Sequence, residues 1–315
     1  MIPAKWLIEA DERIAPHIRR TPLTYDTEHD LYLKWENHQV TGSFKARGAF
    51  NKVLSLLPWE RQQGLITASA GNHGQGVALA GQVTGARVVV FASDHAVPKK
   101  LDAMRHFGAE VHLVPGGYGE AEAAGLDYAH RSGAIWVSPY NDGQVIAGQA
   151  TLALEILGEL PEPNGTTWIV PVGGGGLISG IGAALDLKAP AGASIRLVGV
   201  QSAASAFMHA IYYRNTQVGV ADDPSLADGL SGPVETNSLT IPMVKQYVDE
   251  LALVSEAEIE NALAVCWQRY GERIEGSAAV GLAAILSEKI PQRPAVVVLS
   301  GGNIGDEVFD RIVGK

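Results

Sequence analysis

Cysteine is nearly absent. The 315 residues hold one, Cys266, so neither a disulfide framework nor a cysteine-rich zinc site can be built, and a reducing cytoplasm is the expected setting. Positive charge is also scarce: 24 Lys and Arg stand against 34 Asp and Glu, a formal net charge of −10. A chain this acidic lacks the basic surface that nucleic-acid binding needs. No run of about 20 apolar residues occurs. The first twenty residues interleave Lys5, Glu9, Asp11, Glu12, Arg13, Arg19 and Arg20 with apolar ones, unlike a signal peptide. Neither secretion nor membrane insertion is expected. Internal repeats and low-complexity linkers are missing too.

What is present is a core. Hydrophobic residues make up 46% and charged residues 18%, a balance that folds rather than stays disordered. Short Val- and Ile-rich runs bounded by turn residues read as strands: Ala86–Phe91, Ile135–Val137, Trp168–Val172, Ile195–Val200 and Ala295–Leu299. Between them Gly74–Thr84, Val97–Phe107, Gln144–Leu160 and Glu256–Tyr270 have helical length and spacing. Alternation of this kind predicts an α/β fold with parallel sheets covered by helices. The 36 glycines concentrate where strands hand over to helices, and in open α/β sheets ligands bind at those carboxyl ends.

Four such junctions carry chemistry. In Pro171-Val172-Gly173-Gly174-Gly175-Gly176-Leu177-Ile178-Ser179-Gly180, four glycines let backbone N–H groups converge at a helix N-terminus, a site for a phosphate. The plainer reading is a tight turn packed closely on its neighbours. Leu177 and Ile178 stand where a P-loop needs Gly-Lys-Ser/Thr, and the Gly-x-Gly-x-x-Gly spacing fails from either Gly173 or Gly174. Nucleotides are therefore disfavoured, and a smaller phosphorylated ligand remains.

In Thr41-Gly42-Ser43-Phe44-Lys45-Ala46-Arg47 the N-cap signal places Lys45 in a first helical turn, where its charge opposes the helix dipole. A lysine at positive potential loses its proton more readily and becomes a nucleophile; the bland alternative is a solvated surface lysine. Ser69-Ala70-Gly71-Asn72-His73-Gly74-Gln75-Gly76 follows the strand-like Leu65–Thr67 and could hold a carboxylate or a ring oxygen. His73 is a candidate base, although a histidine in such a turn more often packs. Leu299-Ser300-Gly301-Gly302-Asn303 ends the last strand and offers one small hydroxyl.

In this order the four motifs resemble the serine/threonine dehydratase (threonine ammonia-lyase) family of fold-type-II pyridoxal-phosphate enzymes, and the resemblance runs from about Thr21 to Gly305. It implies a tryptophan synthase β-like fold with two lobes, each a largely parallel sheet flanked by helices. A large lobe of residues 1–63 and 141–315 would bind the cofactor, and residues 64–140 would form a small mobile lobe. It implies that pyridoxal 5'-phosphate is held as a Schiff base by Lys45, the catalytic residue. Phe44 would pack near the ring, Asn72 would meet the ring hydroxyl, and Ser300 would face the pyridine nitrogen. The amides of Gly173, Gly174, Gly175, Gly176 and Leu177 would hold the phosphate. Ser69, Ala70, Gly71, Asn72 and His73 would line the pocket for the substrate carboxylate. The implied reaction is β-elimination from L-threonine or L-serine, giving a 2-keto acid and ammonia, by a homodimer with no nucleic-acid or membrane partner.

Departures from the family pattern sharpen this. Serine racemases of the family have a serine at the position of Ala70, so racemisation is not expected to dominate. Gly199-Val200-Gln201 and the residues to Phe207 offer no carboxylate where some relatives bind a divalent cation, so no such metal site is expected. Gly148-Gln149-Ala150-Thr151 replaces the usual Gly-Gln-Gly-Thr and Ser138 replaces a histidine, two changes expected on the substrate side of the cleft. A C-terminal regulatory domain is not expected, nor feedback by isoleucine. The competing readings are a fold-type-II lyase for 3-hydroxyaspartate or an aryl-serine, and a silent cofactor-binding protein.

Overall fold

The computed structural model describes residues 2–314. Ten strands are found among them: β1 (Leu23–Asp26), β2 (Leu31–Trp35), β3 (Leu65–Ala68), β4 (Val88–Ser93), β5 (Glu110–Val114), β6 (Ile135–Trp136), β7 (Thr167–Pro171), β8 (Arg196–Ser202), β9 (Glu250–Val254) and β10 (Ala295–Leu299). They form a six-stranded sheet in the order β1-β2-β10-β7-β8-β9 and a four-stranded sheet in the order β5-β4-β3-β6. Among these strands the β1–β2 pair is antiparallel and the other pairings are parallel. The smaller sheet draws its strands from residues 65–136, and the larger from the chain before and after.

Every residue of β7 and β10 is buried. A strand covered on both faces gains from apolar side chains at every position, so these segments read as unbroken Val/Ile runs. Alternate residues still part company: Trp168 and Val170 join one core, Ile169 the core on the opposite face. By contrast β5 and β9 lie at sheet edges. Their mixed sequences, with exposed Glu110 and Leu113 in β5, lack that signal.

The helix Lys45–Ser55 is tied down from below by charge. Arg47, fully buried, puts Nε and Nη2 on the two oxygens of Glu36 at 2.8 Å and Nη1 on Glu155 Oε1 at 2.7 Å. Lys34 Nζ meets Glu155 Oε2 and the carbonyl of Thr21, both at 2.8 Å. Two cations and two anions cancel in a buried region, and together they join β2, the lysine-bearing helix and the helix Gly143–Glu159. Such a group adds little net stability over apolar packing, but removing one member strands the others at a cost of about 3–5 kcal/mol.

The helix Gly143–Glu159 corrects one expectation. Gly148, Gln149, Ala150 and Thr151 are all buried within it and none reaches the cleft wall. Gln149 Oε1 accepts from the amide of Gly48, and a Cβ on Gly180 would stand 2.9 Å from the Ala150 nitrogen. These residues set helix-to-helix spacing rather than substrate choice. Ser138 is likewise buried away from the cavity, its hydroxyl accepting from the Asn141 amide at 3.0 Å.

Candidate active site

The carboxyl ends of β3, β7 and β10 open into one cavity of about 230 Å³. At one side β7 stops at Pro171 and the helix Gly176–Lys188 starts five residues later. Gly175 turns the chain with φ +85°, and a Cβ on Gly174 would lie 2.5 Å from the ring of Tyr140. Only glycine allows that approach. First-turn amides have no intrahelical acceptor, and no side chain caps this helix. Gly173 through Leu177 therefore face the cavity with free N–H groups and the positive end of a helix dipole, a fitting cradle for a phosphate.

Lys45 approaches from the other side. Ser43 Oγ accepts its backbone N–H at 3.1 Å, starting the helix, while Nζ donates to the carbonyl of Pro139 at 2.9 Å. Burial drives its pKa down to about 8, against the opposing pull of the Glu275 carboxylate. An amine so poised is partly neutral near physiological pH and can attack an aldehyde. Phe44 is beside it, the ammonium 5.3 Å from the ring centroid. Ser300, buried at the end of β10, completes this side, and its carbonyl accepts from the Phe44 amide.

A phosphate cradle, a nucleophilic amine, a side-chain amide and a hydroxyl share one cavity, and that donor set fits pyridoxal phosphate. Residues 13–301 match the model of the pyridoxal-phosphate dependent enzymes. The chain belongs to this family. The L-threonine ammonia-lyase of Thermotoga maritima is 39% identical, with all of this chain and 79% of the relative aligned. A catabolic L-threonine dehydratase of Staphylococcus aureus is 41% identical over 94% of this chain and 87% of its own. Among solved structures, maize serine racemase superposes with a TM-score of 0.90 at 29% identity, covering 98% and 96% of the two chains. Threonine deaminase isoform 2 of Solanum lycopersicum gives 0.86 at 28%, covering 99% and 94%. The fold is accordingly that of these fold-type-II enzymes, and pyridoxal phosphate is the cofactor.

On the small-sheet side of this pyridoxal-phosphate enzyme, Ser69, Ala70, Gly71, Asn72 and His73 all lie on the cavity wall. The Asn72 amide is already engaged, donating to Glu275 Oε1 at 2.6 Å and accepting from Asn303 at 2.7 Å. One of its N–H groups is left over. His73 Nε2 bonds the Val137 carbonyl at 3.0 Å, and burial followed by the Lys45 charge depresses its pKa to about 3. It packs, as histidines in such turns usually do.

Among the wall residues that escape sequence reasoning are Lys100, Tyr140, Asp228 and Glu275. Glu275 is buried, and burial raises its pKa to about 7, with Lys100 pulling the other way. Its one trace in the sequence is position. A lone acid caps the helix Gly276–Leu286, which is otherwise entirely small and apolar.

Proposed function

We propose that this enzyme converts L-threonine or L-serine to a 2-keto acid and ammonia by β-elimination of water, acting as a cytoplasmic homodimer. The observation that carries the reading is Lys45, its amine depressed to about 8 and opening into the same cavity as the glycine cradle. Relatives about 40% identical over nearly the whole chain are L-threonine ammonia-lyases and dehydratases. The dimer rests on the general prevalence of symmetric pairs, and the cytoplasm on a single, buried thiol. No helix among the described residues is long and apolar enough to cross a membrane.

In this reading the amides of Gly173 to Leu177 would hold the phosphate and Asn72 would meet the ring hydroxyl. Phe44 would lie by the ring and Ser300 would face its nitrogen. When bound, the cofactor delocalises the electron pair left at the substrate α-carbon. Lys45, as a free neutral amine, would take the α-proton. The bond from the β-carbon to its hydroxyl then breaks, and one water leaves. The amino group is later hydrolysed by a second water, so threonine yields 2-oxobutanoate and ammonia overall. The substrate carboxylate lies against Ser69–His73, at the N-terminus of the helix Asn72–Thr84. Ser300 contributes a neutral hydroxyl, which does not favour a protonated ring and so suits prompt elimination. Residues 64–140 act as a small lobe that closes on the remainder, 1–63 with 141–315, and excludes water.

Position 70 is alanine, with no hydroxyl to return a proton at that point of the wall, and this supports elimination over racemisation. Keto-acid release from L-threonine, L-serine and β-substituted serines, with protein saturated in pyridoxal phosphate, tests the proposal. Turnover of threonine or serine is the expected result; turnover of a bulky or acidic analogue alone would reassign the substrate.

A further inference from the structure

Residues 228–233 all lie on the cavity wall, yet beyond the 3-10 turn Asp228–Leu230 they belong to no helix or strand. This loop leans on the glycine cradle: a Cβ on Gly173 would stand 3.0 Å from the Leu230 Cα and 3.2 Å from its carbonyl oxygen. A segment without a ladder of its own is placed by whatever satisfies its amides. The near end is fixed locally. The Leu230 amide donates to the Ala227 carbonyl at 2.9 Å, and the Gly229 amide to Ser277 Oγ, on the same wall, at 3.0 Å.

The far end is fixed from outside the cavity. The Gly232 amide donates to Ser205 Oγ at 3.0 Å and to Asp222 Oδ1 at 3.3 Å, while the Ser205 hydroxyl donates to that same Asp222 oxygen at 2.7 Å. Ser205 ends the 3-10 turn Ala203–Ser205 that follows β8; it is 2% exposed and does not touch the cavity. Asp222 is exposed, and the backbone beside it is held to the same turn, the Asp223 amide donating to the Ala204 carbonyl at 2.9 Å. One buried hydroxyl both donates and accepts, and it clips together three separate stretches of chain.

We propose that Ser205, with Asp222, is a positioning residue for the elimination: it holds the 231–233 end of the loop against the cavity and so sets how closely the wall meets the substrate. The cofactor side of the loop, Leu230 on Gly173, has ties of its own and does not depend on the clip. Opening the clip loosens substrate binding and leaves cofactor binding and the Lys45 chemistry in place. The kinetic consequence rests on the elimination reading above; the structural one does not.

Ser205→Ala, Asp222→Ala, Asp222→Asn and the double alanine variant test this on the enzyme loaded with pyridoxal phosphate. One lost hydrogen bond is worth about a five-fold change in an equilibrium. Ser205→Ala should raise KM for L-threonine or L-serine at least about five-fold, with kcat and the affinity for pyridoxal phosphate within about two-fold of wild type. Asp222→Ala, at an exposed side chain, should shift KM in the same direction. Asp222→Asn keeps the accepting oxygen and should restore the wild-type KM. The double variant should be no worse than Ser205→Ala alone, because both changes open one clip. Hydrogen exchange read by mass spectrometry should quicken over residues 228–235 of Ser205→Ala and not over the glycine loop. An unchanged KM in Ser205→Ala, or a loss shared equally by kcat and cofactor affinity, would overturn the inference. If neither threonine nor serine is consumed, the elimination reading falls, and the exchange of residues 228–235 alone decides whether Ser205 holds the loop.

Discussion

Replacing Glu275 with glutamine should stabilise the apoenzyme at alkaline pH and not at acid pH. Glu275 is 4% exposed, and burial lifts its pKa from 4.5 to about 7. A carboxyl whose folded pKa lies above its unfolded value supports folding most below the unfolded value. That support is lost as pH rises through the folded one. Between pH 4.5 and 7 the unfolded chain sheds this proton while the folded protein keeps it, so stability drains away over that window. Each pKa unit is worth 1.36 kcal/mol, so the burden on the folded state at pH 8 is on the order of 3 kcal/mol. Part of it is offset, because the Glu275 carboxylate favours the Lys45 ammonium. A net gain of about 1–3 kcal/mol for Glu275→Gln at pH 8 is expected. Glutamine keeps an oxygen for the Asn72 amide, so the gain reports the charge. Urea unfolding of apoenzyme at pH 5 and pH 8 measures it. A difference between variant and wild type that is the same at both pH values, or a less stable variant at pH 8, would refute the reasoning.

Three further changes probe the frame around the site. Gly174→Ala puts a methyl 2.5 Å from the Tyr140 ring, costs about 1–3 kcal/mol of overpacking, and should weaken pyridoxal-phosphate binding at least about ten-fold; unchanged affinity in an absorbance titration would remove the loop from the cofactor site. Arg47→Met removes the guanidinium that pairs with both Glu36 and Glu155 and should cost about 3–5 kcal/mol in urea unfolding. A loss below about 1 kcal/mol would mean that the charges relax or admit water. Cys266 is buried, with its pKa pushed up to about 12 by burial and then by Glu272. It should resist Ellman's reagent until the protein is unfolded, and fast labelling of native protein would contradict its placement.

The glycine loop, Lys45, Asn72 and Ser300 were legible because each answers a local demand. The glycine loop, Asn72 and Ser300 follow closely on strand ends, and Lys45 opens a helix behind an N-cap-like Thr41-Gly42-Ser43, so neighbours in sequence announce each. That all four line one cavity is a fact of the fold. Glu275, Lys100 and Asp228 meet no such demand. Glu275 reaches Asn72 across 203 positions of sequence, and Lys100 reaches Asp228 across 128. Only the closing of two sheets brings them to the wall. The same divide runs through the fold. Fully buried β7 and β10 announce themselves as apolar runs, whereas edge strands β5 and β9 mix charge and exposure and escape notice. The helix Gly143–Glu159 was readable as a helix, but which neighbour Ala150 faces depends on the packing of Gly180 against it.

Lys45, and no other lysine, is proposed to carry the cofactor. Borohydride reduction of the holoenzyme fixes pyridoxal phosphate to the lysine that holds it, and peptide mass mapping then locates the tag. The tag is expected on Lys45 alone, and none in a Lys45→Ala variant, which should also lose the visible absorbance of the bound cofactor. A tag on Lys100 at the cleft mouth, or on Lys34 in the buried charge cluster, would contradict it.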